Sequence, residues 1–273
     1  MDFGLCTLLT SHKMINIQSF MTSTQNRSFM TSAKNLSFGI SQPRSIKLDF
    51  IPTSTLTQLA KLENYQTIFN NFQIITLVVY RPDQEWYHPI TRKQEHQYRR
   101  DLKQEYQQFY ALAYYLLQLP QLQGKTVILQ NSQTDHLFQD RPGEIQNILK
   151  WFNTRQKAIR HARNNNKKSK LTLLHSLQFT KIHGHTINKI IPNIYKLDTI
   201  SYHHSHKINI KQATIDLLLA KQLTPHIYKQ SNYAKNRFPH IYIQFTSPQP
   251  PPIHLISILR HNFKLVYLTK QTN

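Results

Sequence analysis

Along most of this chain, short apolar runs rich in β-branched residues alternate with longer stretches whose apolar positions recur every three or four residues. The short runs read RSIKLDFI, FQIITLVVY, KTVILQ, KLTLLHSLQ, LDTISYHH, HIYIQFT and KLVYL. They predict strands near residues 45–51, 73–80, 125–131, 171–177, 198–203, 240–246 and 264–269. The first two are separated by Ser54–Asn70, where Leu56, Leu59, Ala60 and Leu62 keep helical spacing. Arg99–Leu119 is the clearest helix. Leu102, Tyr106, Phe109, Tyr110, Ala113 and Leu116 fall on one stripe, and Pro120 ends it. A third helix, Glu144–Arg163, follows Pro142–Gly143 and turns Ile145, Ile148, Leu149, Phe152, Ile159 and Ala162 to one side.

Strands alternating with helices imply βαβ units and a parallel sheet. The runs look continuous rather than alternating, which suits strands buried on both faces. The fold class is therefore α/β. Seven strands are one short of a closed barrel, and the eighth would belong to the poorly patterned N-terminus. An open doubly wound sheet is the alternative. Neither GxGxxG nor GxxxxGK[ST] occurs, and five glycines in all make phosphate-cradling loops a poor expectation. This removes the commonest open-sheet functions and favours a barrel.

Residues 1–43 are Ser/Thr/Met-rich, hold a single acid, Asp2, and show no sustained periodicity. They read as a poorly ordered N-terminal segment ahead of one domain over residues 44–273. The opening MDFGLCTLLT is too short for a secretory signal and lacks its basic start. The Ser-rich, acid-poor character weakly resembles an organellar transit peptide, although acids are scarce throughout the chain. No run approaches the length of a membrane span. One cysteine, Cys6, excludes an internal disulfide framework and a cysteine-rich zinc site.

The formal net charge is +21, from 34 Lys and Arg against 13 Asp and Glu. Basic residues near an eighth of the chain are ordinary, so the charge arises from missing acids. One cluster stands out, RQKAIRHARNNNKKSK over Arg155–Lys170, and a solvated helix end with its loop accounts for it. Such an excess still favours contact with nucleic acid or anionic surfaces.

Two segments carry a family resemblance: GKTVILQNSQTDHLF and, after it, IQNILKWFNTRQKAIRHAR. They resemble TIM-barrel proteins of the glycoside hydrolase superfamily. There a strand ends in a Gln-Asn-Trp-Glu-Gly-Asp-Trp-like motif and the next helix carries Trp-x-Asn-x-Arg-Gln. The helix motif stands here as Trp151, Asn153, Arg155 and Gln156. The similarity extends over residues 44–273 and leaves the first barrel strand out. It implies a (β/α)8 TIM barrel, incomplete at its N-terminal strand, with chemistry at the C-terminal strand ends.

In that family a glutamate after the fourth strand is the acid/base and one at the seventh is the nucleophile. The resemblance sets Gln133 and Gln244 at those positions, with Ser132 and His136 in place of the flanking tryptophans. After the fifth strand Gln178 stands for a glutamate and Thr180 for an asparagine; after the sixth, His206 stands for an acid. Glycoside hydrolysis needs two carboxyl groups. An amide hydrogen-bonds a sugar but neither donates an acidic proton nor forms a glycosyl ester. The resemblance thus implies a barrel without hydrolase activity, or one with residual carbohydrate binding at the strand C-termini. Asp135 is the lone acid near that rim and the candidate rescue acid. Asn131, Gln178, Tyr202 and Trp86, with Tyr87, are the candidate sugar contacts.

No cofactor is expected, and no resident metal. His175, His204 and His206 could form a three-histidine site, but no acid stands near to orient them. A second reading, of another class, is a basic scaffold that contacts an anionic polymer such as nucleic acid. A third is an eroded gene product that folds poorly, favoured by the missing strand and the replaced family positions.

Overall fold

The computed structural model describes residues 2–7, 45–50, 55–79, 95–131, 144–179, 189–204, 241–246 and 265–269. Within them the chain is an α/β fold in which every strand pairing is parallel. The strands are β1 (Asp2–Thr7), β2 (Ser45–Phe50), β3 (Ile74–Val79), β4 (Thr126–Asn131), β5 (Thr172–Phe179), β6 (Thr199–His204), β7 (Ile241–Thr246) and β8 (Leu265–Thr269). They pair in chain order, and β8 returns to β1, so the sheet closes on itself.

The registers fix the stagger of that ring. From Gly4↔Ser45 round to Tyr242↔Leu265, the seven forward pairings advance the chain by 255 residues; the closing pair Leu265↔Asp2 returns it by 263. One circuit therefore displaces the register by eight residues. Eight strands with a stagger of eight leave an interior just wide enough for side chains to fill.

The seven strands expected from the hydrophobic pattern are all present, each within two residues of its expected bounds. The eighth is β1, inside the stretch that showed no periodicity. Its sequence, DFGLCT, is short and includes Gly and Asp, residues that strands disfavour. Its strand character comes from partners on both sides, β2 and β8, which lie far along the chain.

Four α-helices lie among the described residues: α1 (Leu56–Ala60), α2 (Glu63–Asn71), α3 (Glu95–Gln118) and α4 (Glu144–Asn165). The single helix expected over Ser54–Asn70 is two. Thr55 opens α1 with a capping box, its hydroxyl accepting from the Gln58 N–H while the Gln58 side chain accepts from the Thr55 N–H. Leu62 is extended and starts α2. On an unbroken helix, Phe69 would lie roughly 140° round from Leu56. The break rotates Phe69 inward, and both residues are buried in the same core cluster. At its far end α2 is closed by Lys125, whose ammonium donates to the carbonyls of Phe69 (2.6 Å) and Asn70 (2.8 Å). Gly124, at φ +77°, makes the turn into β4 that L-residues disfavour.

Helices α3 and α4 run side by side in the same direction, held at one end by the Tyr98 hydroxyl donating to the Asn147 carbonyl (3.0 Å). Further along, the Asn165 amide donates to the Tyr110 hydroxyl (3.0 Å). Their inner faces bury Phe109, Leu112, Leu116, Ala158, Ile159 and Ala162 against Leu77, Val127, Leu129 and Leu173 of the sheet. No helix among the described residues is long and apolar enough to cross a membrane.

Candidate functional site

Strand alternation sorts the buried strand residues into two sets. Ile46, Leu48 and Phe50 of β2, Ile75, Leu77 and Val79 of β3, Val127 and Leu129 of β4, and Leu173 of β5 pack against the helices. The intervening positions face the barrel interior. There the buried residues include Lys47, Thr76, Gln130, Ser176 and Gln178. Ser176 is level in register with Thr199, and Gln178 with Ser201, which adds these two buried β6 residues. The runs expected to be apolar on both faces carry polar residues at inward positions: Lys47 in β2, Thr76 in β3, Gln130 in β4, Ser176 and Gln178 in β5. A barrel interior normally holds Val, Ile and Leu. This one mixes such residues, Ile74, Val78, Ile128 and Leu174, with the polar ones.

Inside it, the Gln130 amide donates to the Gln178 side-chain oxygen at 2.6 Å, joining β4 to β5. The hydroxyls of Ser176 and Ser201 are buried with no hydrogen-bond partner among the described residues. A buried hydroxyl without a partner costs on the order of 1–3 kcal/mol, so each would be favoured by an ordered water or a ligand hydroxyl. With a stagger of eight, each strand contributes one residue of rise relative to the last, so alternate strands supply one level. Val78, Gln178 and Gln244 fall on one level near the C-terminal mouth; Lys47, Gln130 and Ser201 lie on the level beneath. The described part of this interior is lined by aliphatic side chains, amides, hydroxyls and one buried cation, with no carboxylate among the described side chains.

The second polar assembly lies behind the sheet. Arg155 of α4 is 1% exposed, its guanidinium 4.2 Å from the centre of the Phe109 ring and 4.0 Å from that of Trp151. Its Nε donates to Glu105 of α3 and its Nη1 to the side-chain oxygen of Asn131. Trp151 Nε1 donates to the same Glu105 oxygen (3.0 Å). The chain continues across the sheet: Asn131 Nδ2 faces His175 Nε2 (3.0 Å), and His175 Nδ1 faces the Gln156 side-chain oxygen (2.7 Å). Since Asn131 and Gln156 turn their amide nitrogen and oxygen respectively toward the ring, Nδ1 carries the proton and Nε2 accepts. Gln156 Nε2 completes the relay on the Lys196 carbonyl (2.6 Å). Burial holds the His175 pKa well below the ordinary histidine value, and the nearby Arg155 and Arg163 charges push the same way. The ring is neutral at physiological pH. Beside it, Asp198 takes both guanidinium nitrogens of Arg163 (2.7 and 3.2 Å) and the His175 N–H (2.9 Å).

The helix motif read from the sequence accounts for most of this assembly. Trp151, Arg155 and Gln156 are its anchors, and Asn153 accepts from the Tyr195 N–H (2.9 Å). Arg155, Gln156 and Asn153 tie α4 to strands β4 and β5 and to the approach to β6, and Trp151 ties it to Glu105 of α3.

The expected site residues fall in different places. Gln178 faces the barrel interior. Asn131, expected among the sugar contacts, is instead committed to Arg155 and His175 on the helix-facing side of β4. Gln244 lies in β7, paired with His203 and Tyr267, and Tyr202 lies in β6, paired with Phe179 and Ile243. Gln133, Asp135, Trp86 and Tyr87 lie outside the described residues, as does His206. The three-histidine grouping loses His175, whose ring nitrogens are both engaged behind the sheet. Among the described residues, no group of three His, Cys, Asp or Glu could hold a metal ion. Sequence reasoning passed over Gln130, Ser176 and Ser201. The available signal was a polar residue at every second position of HSLQ and TIS, read there as apolar runs.

Compared with known proteins, the chain matches no family model, no curated protein and no solved structure.

Proposed function

We propose that this chain is a complete (β/α)8 barrel of the glycoside hydrolase kind that binds a neutral carbohydrate at its C-terminal mouth without hydrolysing it. The ring of eight parallel strands and its stagger of eight support the barrel, as does the regular β3-α3-β4-α4-β5 alternation. The retained Trp-x-Asn-x-Arg-Gln motif supports the ancestry, because each of its residues performs a scaffold task.

The observation that carries the binding reading is the neutral polar set of Gln130, Gln178, Ser176 and Ser201 inside the barrel. Amides and hydroxyls both donate and accept, which matches the hydroxyls of a sugar. None of them titrates in a range useful for general acid catalysis, and none forms a glycosyl ester. Gln244, which the resemblance sets at one of the family's carboxylate positions, lies on the same level of the barrel as Gln178 and is an amide as well.

Calorimetric titration with soluble β-glucan and xylan oligosaccharides, run beside a reducing-sugar assay, tests this. Saturable binding without sugar release is expected, with Gln178→Ala weakening it at least fivefold. Absence of binding to every neutral sugar tried overturns the reading. Turnover that survives Asp135→Asn also overturns it, and turnover abolished by Asp135→Asn makes Asp135 the acid.

A further inference from the structure

The outer seam between α3 and α4 carries chemistry that the barrel mouth does not use. On α3, Lys103, Tyr106, Tyr110 and Tyr114 recur at three- and four-residue spacing, so they share one stripe. The three tyrosines are half-buried, packed on one side against the core, and form a stack with ring centres 6.1 Å apart at 11° and then 5.8 Å apart at 26°. On α4 a matching stripe runs through Lys150, Lys157, His161 and Asn165, and Lys168 follows in the turn after the helix. The two stripes are locked together by the Tyr106 hydroxyl on His161 Nδ1 (2.7 Å) and by Asn165 on the Tyr110 hydroxyl.

Lys103, Lys150, Lys157 and Lys168 are exposed, and neither stripe contains an acid. From Lys150 to Asn165 the seam extends about 22 Å at the helical rise. Cations bordering a row of aromatic rings along one elongated groove are the means by which proteins hold single-stranded nucleic acid. The chain's overall excess of 34 basic over 13 acidic residues adds a long-range field of the same sign.

We propose that the α3–α4 seam is a docking surface for single-stranded nucleic acid, whose phosphates contact Lys103, Lys157 and Lys168 while its bases lie along the tyrosine stack. The proposal is independent of the carbohydrate reading, since the seam is on the outside of the barrel and the sugar site is at its mouth.

The test is fluorescence anisotropy of a labelled 20-nucleotide oligo(dT) against the full chain over a salt series. Lys103→Gln/Lys157→Gln/Lys168→Gln should bind at least tenfold more weakly and lower the slope of log K against log salt by about 2, from roughly 0.7 per lost phosphate contact. Lys61→Gln/Lys189→Gln/Lys196→Gln removes the same charge off the seam and should stay within about twofold of the parent at fixed salt. Equal weakening in both triple variants overturns the proposal, because the attraction is then diffuse. So does failure to bind at low salt, or preferential binding to anionic vesicles or polyglutamate. A readout on the unaltered chain guards against misfolding of the variants: bound oligonucleotide should shield Lys103, Lys157 and Lys168 from acetylation, and unchanged labelling overturns the proposal.

Discussion

Replacing Glu105 by Leu perturbs the assembly behind the sheet at a buried ion pair. Glu105 and Arg155 side chains are 5% and 1% exposed, so their attraction is little screened. Removing the carboxylate leaves the guanidinium between the Phe109 and Trp151 rings, with its Asn131 contact retained. Stranding one member of a buried pair costs about 3–5 kcal/mol. The Trp151 N–H loses its acceptor as well, which adds about 1 kcal/mol. Arg155→Met should cost a similar amount by stranding Glu105 and the Asn131 oxygen. The double variant Glu105→Leu/Arg155→Met removes both charges and leaves two neutral orphans, for a loss of about 2–4 kcal/mol. The two single losses together are about 8–12 kcal/mol, so the cycle should show a coupling of about 6–8 kcal/mol. Urea unfolding followed by far-ultraviolet dichroism and tryptophan fluorescence, with coincident transitions, gives all four stabilities. Additive losses, or a Glu105→Leu loss below about 0.5 kcal/mol, would refute the claim that this pair holds α3 and α4 on the sheet.

His175 titrates lower in the folded chain than unfolded, so the unfolded state takes up the proton first and stability is present above the unfolded pKa and lost as pH falls below about 6.5. Unfolding free energy should drop by about 1.4 kcal/mol between pH 7.5 and 5.5 on account of this ring alone, and His175→Gln should flatten the profile by that amount; an unchanged slope contradicts the assignment. Inside the barrel, Gln178→Leu leaves the Gln130 amide without its 2.6 Å acceptor and should cost about 1–3 kcal/mol, while Gln130→Leu/Gln178→Leu should recover most of the loss in the same unfolding assay.

The sequence by itself determined where most elements lie, because burial imposes a period that survives in the residues. IITLVV and TVILQN announce β3 and β4, the stripe from Leu102 to Leu116 announces α3, and Pro120 marks its end. Only the tertiary structure decided β1, whose six residues carry little pattern and become a strand through hydrogen bonds to β2 and β8. It also decided the break at Leu62, since the need to bury Phe69 depends on where the sheet lies. The site divides in the same way. The motif residues Trp151, Asn153, Arg155 and Gln156 were visible, yet their partners Glu105, Tyr195, Asn131, His175 and the Lys196 carbonyl are brought to them by the fold alone. Asn131 and Gln130 are neighbours in sequence and amides alike. The two-residue period of a strand sends one into the barrel and the other against the helices, and which goes where depends on the register of β4 between β3 and β5.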